Sequence, residues 1–260
     1  MNLLVTLDSG SDGKELLTSA RVLAHASGWP LRGLHVKLTA DAPDLKLSAR
    51  LTTNTEVREA VGDPVEEILK AAAEDDVIAF TMRGAGEQGV GQVADALLTR
   101  AAQTLFVVRP GVKPITSLRR IVVPLEGSPS SSEAMRLTDE VFCRPGREIV
   151  VVHVSTADTP DEPGSLPAPR MVDQEQYEWS SWHEGFTMRF ATCPEGGKHR
   201  TVVRVGDPLK VIINEAKRLP ADLIVLAWGG VFTKGHSAVV RGILEDAPCP
   251  LLLVPVPGHA

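Results

Sequence analysis

Along the chain, short uninterrupted apolar runs alternate with longer stretches in which apolar residues recur every third or fourth position. The runs include NLLVTL (2–7), LFVV (105–108), IVVPL (121–125), EIVVVHV (148–154) and DLIVLA (222–227). Short, continuously apolar and rich in β-branched residues, they read as parallel strands buried on both faces. Helical spacing occupies 12–26, 63–73 and 92–102, and again 130–142, 208–218 and 238–246. Strands alternating with helices predict right-handed βαβ units and an open, mostly parallel sheet.

The pattern is written twice. NLLVTLDSGSDGKELLTSARVLA (2–24) aligns with RIVVPLEGSPSSSEAMRLTDEVF (120–142), and LRGLHV (31–36) with EIVVVHV (148–154), which sets His35 opposite His153. Val-Gly-Asp-Pro recurs at 61–64 and 205–208, VIAFTMRG (77–84) matches LIVLAWGG (223–230), and AAQTLFVVRP (101–110) matches APCPLLLVPV (247–256). Five blocks in one order indicate a tandem duplication. In both Asp-Pro pairs the Asp reads as an N-cap and the Pro as the first helical residue. RPGVKPITS (109–117) is the natural joint, stiffened by its prolines. Two units follow, 1–111 and 118–257, with about five strands in each. The first has a shortened middle. The second carries an insertion over 155–199 with room for a helix at 173–193.

Composition narrows the classes. With 43% hydrophobic and 23% charged residues the 260-residue chain reads as a soluble globular protein. Its formal net charge of −6 supplies no basic surface for nucleic acid. Cys143, Cys193 and Cys249 are odd in number and widely spaced. They form neither a disulfide framework nor a zinc motif, and a reducing, cytoplasmic setting is expected. The first apolar run stops at Asp8, too short for a signal core, and no window approaches the roughly 20 apolar residues of a membrane span.

Other chemistry-bearing residues read as structural. His35 and His153 end apolar strands and are expected to be hydrogen-bonded structural imidazoles. His183, Cys193 and His199 match no metal-site spacing, and no metal is expected. No serine sits in a nucleophile elbow, so no catalytic residue is assigned. Glu66, Glu67, Glu74, Asp75 and Asp76 read as solvated helix face and terminus. Tyr177, Trp179, Trp182, Phe186 and Phe190 cluster, four of them in a helical stripe, and read as a packing face.

The stretch TMRGAGEQGVGQ (81–92) sets Gly84, Gly86 and Gly89 in G-x-G-x-x-G spacing. A dinucleotide fingerprint belongs after the first strand and needs an acid about 20 residues on. This loop follows the fourth strand, and position 109 is Arg. A glycine-rich turn before a helix still presents backbone N–H groups to an anion. The same glycines could equally serve only to let a short loop turn.

Read in order, several residues resemble the universal stress protein family, as a tandem-domain member. They are Val5 and Asp8 ending the first strand, LHV (34–36), Gly-Asp-Pro with Ile68, the strand ending at Gly84, ADALL (94–98) and GILEDAPCPLLLVPV (242–256). The resemblance implies an α/β fold of two tandem Rossmann-like (adenine nucleotide alpha hydrolase-like) domains, each an open five-stranded parallel sheet in the order 3-2-1-4-5. It implies ATP or AMP as ligand and a role in stress response. It also implies an intramolecular pseudo-dimer through 104–108 and 251–255, with a homodimer as a further partner arrangement, while the charge and hydropathy above leave neither nucleic acid nor membrane as an expected partner. Carried over, the binding residues are Asp8, Val36, Gly84, Gly86, Gly89, Gly91 and Gln92 in the first copy. In the second, weaker copy they are Glu126, Gly229, Gly230, Gly235 and Ser237.

Both copies depart from the family loop G-x2-G-x9-G-(S/T). Only six residues separate Gly84 from Gly91, and six separate Gly230 from Ser237. Gln92 and Ala238 stand where the hydroxyl residue belongs. The expected function is ligand binding and regulation without turnover. The alternatives are an interaction scaffold without nucleotide, and a weak nucleotide hydrolase using Glu87 or Asp95 to hold a metal.

Overall fold

The computed structural model describes residues 1–7, 12–41, 56–73, 76–82, 91–125, 129–155, 197–230 and 236–256. In the first half these are β1 (Leu3–Leu7), α1 (Asp12–Ser27), β2 (Leu31–Lys37), β3 (Glu56–Val61), α2 (Pro64–Ala71), β4 (Val77–Thr81), α3 (Gln92–Arg100) and β5 (Thr104–Val108). The second half holds β6 (Arg120–Pro124), α4 (Pro129–Phe142), β7 (Glu148–Ser155), β8 (Lys198–Val205), α5 (Pro208–Arg218), β9 (Leu223–Trp228), α6 (His236–Asp246) and β10 (Leu251–Pro255). The aromatic cluster at 177–190 lies outside the described residues.

The repeated Val-Gly-Asp-Pro motif has a local explanation. Gly62 and Gly206 have φ of 148° and 142°, a region L side chains rarely adopt. The next residue caps the helix: Asp63 accepts from Glu66 N at 3.0 Å and Asp207 from Lys210 N at 2.8 Å. Pro64 and Pro208 then open α2 and α5, where a missing N–H costs nothing.

All ten strands form one sheet in the order β3-β2-β1-β4-β5-β10-β9-β6-β7-β8. Each half thus reads 3-2-1-4-5, with parallel neighbours throughout. The halves meet where β5 runs antiparallel to β10, Leu105 opposite Leu253, Phe106 opposite Leu252 and Val107 opposite Leu251.

Because the strands are covered on both faces, alternate residues feed two cores. Leu3, Val5 and Leu7 pack under α1 and α4, in a cluster that crosses into the second half through Phe106, Leu252 and Val225. Leu4, Leu34, Ile78 and Phe80 pack under α2 and α3, and this second cluster continues to α5 and α6 through Leu105, Leu253 and Leu226. Since each cluster spans both halves, burial of the β5–β10 seam is part of the core and not an added contact. Among the described residues no helix is long and apolar enough to cross a membrane.

One of the acids departs from its expectation. Asp76 is not solvated: it is only 1% exposed. Its carboxylate accepts from Asn2 Nδ2 at 2.8 Å and Ala73 N at 3.0 Å and pairs with Arg32. The corresponding acid in the second half, Asp222, accepts from the amides of Arg119 and Arg120 at 2.7 and 2.9 Å. Both acids fasten the start of a first strand beside the start of a fourth strand. A buried carboxylate is tolerable only when so fully bonded.

Candidate functional site

Where β1 lies between β2 and β4 the strand order reverses, and the carboxyl ends of these strands leave a crevice of about 420 Å³. This is the place where open α/β sheets bind ligands. Leu34 and Val36 of β2, followed by Leu38, form one wall, and Phe80 and Thr81 of β4 form the other. Thr6 and Leu7 give the floor, and Pro64 and Ile68 of α2 with residues 91–94 of α3 give the sides.

The two helix ends at this crevice differ. Asp63 satisfies an amide of α2 with its own side chain. At α3 the N-cap is Gly91, which has no side chain with which to cap the helix. Among the described residues no side chain is bonded to the first amides of α3, which can meet an acceptor from outside the helix. Glycine tolerates the close approach of such an acceptor because it carries no Cβ. The hydroxyl of Thr6 donates to Ala79 O at 3.1 Å, so its lone pairs stay available as acceptors.

Of the binding residues carried over from the family, Val36, Gly91 and Gln92 come together in this crevice. Asp8, Gly84, Gly86, Gly89, Glu126 and Gly235 lie outside the described residues, and Ser237 is described only as part of α6. Gly229 and Gly230 line a different feature, a groove of about 470 Å³ between the halves. They meet residues 99–102 at the end of α3 there, together with Trp228, Pro255 and Val256. Gly230, at φ 75°, has the carbonyl of Thr99 3.8 Å from where its Cβ would stand.

The crevice walls were unreadable as site residues, because Leu34, Ile68 and Phe80 carry only the signal of core positions. His35 and His153 are placed as expected. Each Nδ1 donates to the last residue of the neighbouring first strand or just beyond it, Leu7 O at 2.9 Å and Leu125 O at 2.8 Å.

A second polar cluster was missed by spacing. His199 Nε2 lies 2.7 Å from Asp139 Oδ1, and Cys143 brings a third ligand-type atom within 4.8 Å of both. Cys143 is disulfide-bonded, which overturns the expectation of reduced, unpaired cysteines and removes its thiolate, and the imidazole is committed to the carboxylate. The trio therefore reads as a structural contact joining α4 to β8.

Solved structures reproduce this fold over the whole chain. A universal stress protein from Archaeoglobus fulgidus DSM 4304 aligns with a TM-score of 0.67 at 18% identity, covering 97% of this chain and 97% of its own. A functionally unknown protein from Pseudomonas aeruginosa PAO1 gives 0.65 at 9% identity, covering 98% and 92%. A putative universal stress protein from P. aeruginosa UCBPP-PA14 gives 0.61 at 10%, covering 98% and 92%. No curated protein matches the chain. The model of the universal stress protein family matches residues 117–255, more than half of the 260. By that match, the chain belongs to the universal stress protein family.

Proposed function

We propose that this is a tandem universal stress protein in which the first half binds a small adenine-bearing ligand and the chain signals its occupancy without turnover. The observation that carries the reading is the crevice at the strand-order reversal, with the uncapped start of α3 at its side. Its apolar walls, Leu34, Val36, Ile68 and Phe80, suit the faces of a base, and its volume lies within the range of small-ligand sites. In the second half the corresponding helices α5 and α6 touch closely. Leu209 of α5 lies so close to Gly242 of α6 that a Cβ there would stand 2.4 Å from its Cδ2.

The direct test is to denature the purified protein and identify the small molecules released by mass spectrometry, then to titrate the emptied protein with AMP and ATP. A released or titratable adenine compound supports the reading. Absence of binding at millimolar nucleotide leaves an interaction scaffold instead. Steady phosphate release that is lost in Asp8→Ala would make the chain a hydrolase.

A further inference from the structure

The two halves differ at one position in the crevice floor. Thr6 of β1 stands opposite Leu34, and Pro124 of β6 stands opposite Val152, each one residue before a strand-end histidine of the neighbouring strand. Thr6 brings a hydroxyl to a place where the second copy carries no side-chain heteroatom.

Alternation along β1 sets where that hydroxyl points. Leu4 belongs to the core under α2 and α3, so Thr6, two residues on, faces the same side of the sheet. The ladder between β1 and β4 ends at Val5 and Ala79, and Thr6 lines the crevice just beyond it. There its Oγ1 donates to Ala79 O at 3.1 Å. A threonine hydroxyl has one proton and two lone pairs, so with the proton spent on Ala79 it offers a ligand only acceptors. Turning the hydroxyl to donate to a ligand would forfeit the bond to Ala79 O.

The shape of a purine decides which of its atoms meets this group. Leu34 and Val36 on one side and Ile68 and Phe80 on the other are apolar and suit the faces of a ring, so the base enters edge first. Its hydroxyl-rich sugar stays at the mouth, beside the exposed Gln92 that starts α3. The sugar is carried on N9, and C6 lies at the opposite end of the ring system. The substituent on C6 is therefore the one that reaches the floor. An amino group there donates to the remaining lone pairs of Thr6, whereas an oxo group sets acceptor against acceptor.

We propose that Thr6 is a specificity-determining residue that selects a 6-amino over a 6-oxo purine, an inference that rests on the adenine-ligand reading above. Amino and oxo groups are close in size and both are neutral, so apolar walls discriminate poorly between them. Hydrogen-bond polarity separates them, because the wrong group leaves polar atoms unpaired in the site.

Isothermal titration of the full chain with AMP and with IMP, which share the ribose phosphate and differ in the C6 substituent, tests this. AMP is expected to bind at least about tenfold more tightly, about 1.4 kcal/mol. Purine riboside monophosphate, which carries hydrogen at C6, should fall between the two. Thr6→Val keeps the β-branched shape and removes the hydroxyl, so it should weaken AMP and bring IMP within about threefold of it. Thr6→Ser should keep the preference. Equal binding of AMP and IMP to the unmodified chain, or a tenfold gap that persists in Thr6→Val, overturns the role of Thr6 and leaves the adenine site standing. Binding of none of the three nucleotides overturns both.

Discussion

The indole Nε1 of Trp228 donates to the backbone oxygen of Leu98 at 2.7 Å, so the last residue of β9 in one half grips α3 in the other. Trp228 is 3% exposed, and Leu98 belongs to the same helix whose first turn borders the crevice. A reciprocal grip comes from the first half. Arg109, just after β5, donates to the carbonyls of Glu245 and Ala247 at the end of α6. Both contacts use a side chain from one half to satisfy helix-end carbonyls of the other.

Trp228→Phe is therefore expected to cost about 1–2 kcal/mol, because it leaves a buried carbonyl without its donor while keeping most of the packing. Trp228→Ala should cost about 3–5 kcal/mol through the added cavity. Urea denaturation measures both. A Phe variant as stable as the parent would show that the hydrogen bond contributes nothing to the seam.

Gly242 allows α5 and α6 to close on each other, since its Cβ would stand 2.4 and 2.9 Å from the two methyls of Leu209. Mid-helix, Gly→Ala would by itself stabilise by about 1 kcal/mol. Here the clash should reverse that sign, making Gly242→Ala destabilising by about 1 kcal/mol. Introduced together with Leu209→Ala, the same change should become stabilising. A double-mutant cycle by thermal or chemical unfolding reads this reversal directly.

Glu215 is a buried acid on α5, held by Arg204 Nε at 2.8 Å and by Arg218. Burial alone would raise its pKa, but the hydrogen bonds from Arg218 and Arg204 outweigh it and hold the carboxyl below the usual range. A depressed folded-state pKa contributes stability that is present above the unfolded value and lost as pH falls through the folded one. Glu215→Gln should thus cost about 1–3 kcal/mol at neutral pH. Its deficit should shrink only at pH below the ordinary carboxylate range. A deficit independent of pH down to strongly acid solution would assign the loss to packing.

Cys249 is a buried free thiol whose pKa is pushed up to about 12 by burial, with Asp222 adding a like charge. The unfolded thiol ionises near pH 8.5, so stability should fall as pH climbs from about 9 toward 12. Against Cys249→Ala, the parent's advantage should narrow by up to about 1.4 kcal/mol per pH unit over that window. Alkylation at pH 8 should be slow until the chain is unfolded. Rapid labelling of the folded protein would contradict the burial.

Much of the architecture was readable from adjacent residues. The doubled block order implied two similar units of about five strands each, and the order 3-2-1-4-5 that the family resemblance implied is the one the sheet has in each half. Gly62-Asp63-Pro64 and its copy at 206–208 specify turn, cap and helix start within three positions, because each requirement is met by the residue's own backbone or by an amide a few places away. Of the carried-over binding residues, Val36, Gly91 and Gln92 could be placed at one crevice, since the strand order brings the ends of β1, β2 and β4 together.

What only the tertiary structure decided are the partners across long separations. An Asp before an apolar run looks the same whether it faces water or, like Asp76, receives Asn2 and Ala73. Gly229 and Gly230 look like half of a second ligand loop, yet they border the groove between the halves, because β9 ends against α3. Trp228 reads as one more core residue until Leu98, 130 positions away, supplies its acceptor. Local backbone requirements leave a signature in neighbouring residues. Which side chain closes a crevice, bridges the halves or buries an acid depends on how helices settle on the sheet, and apolar spacing is the same for every such partner.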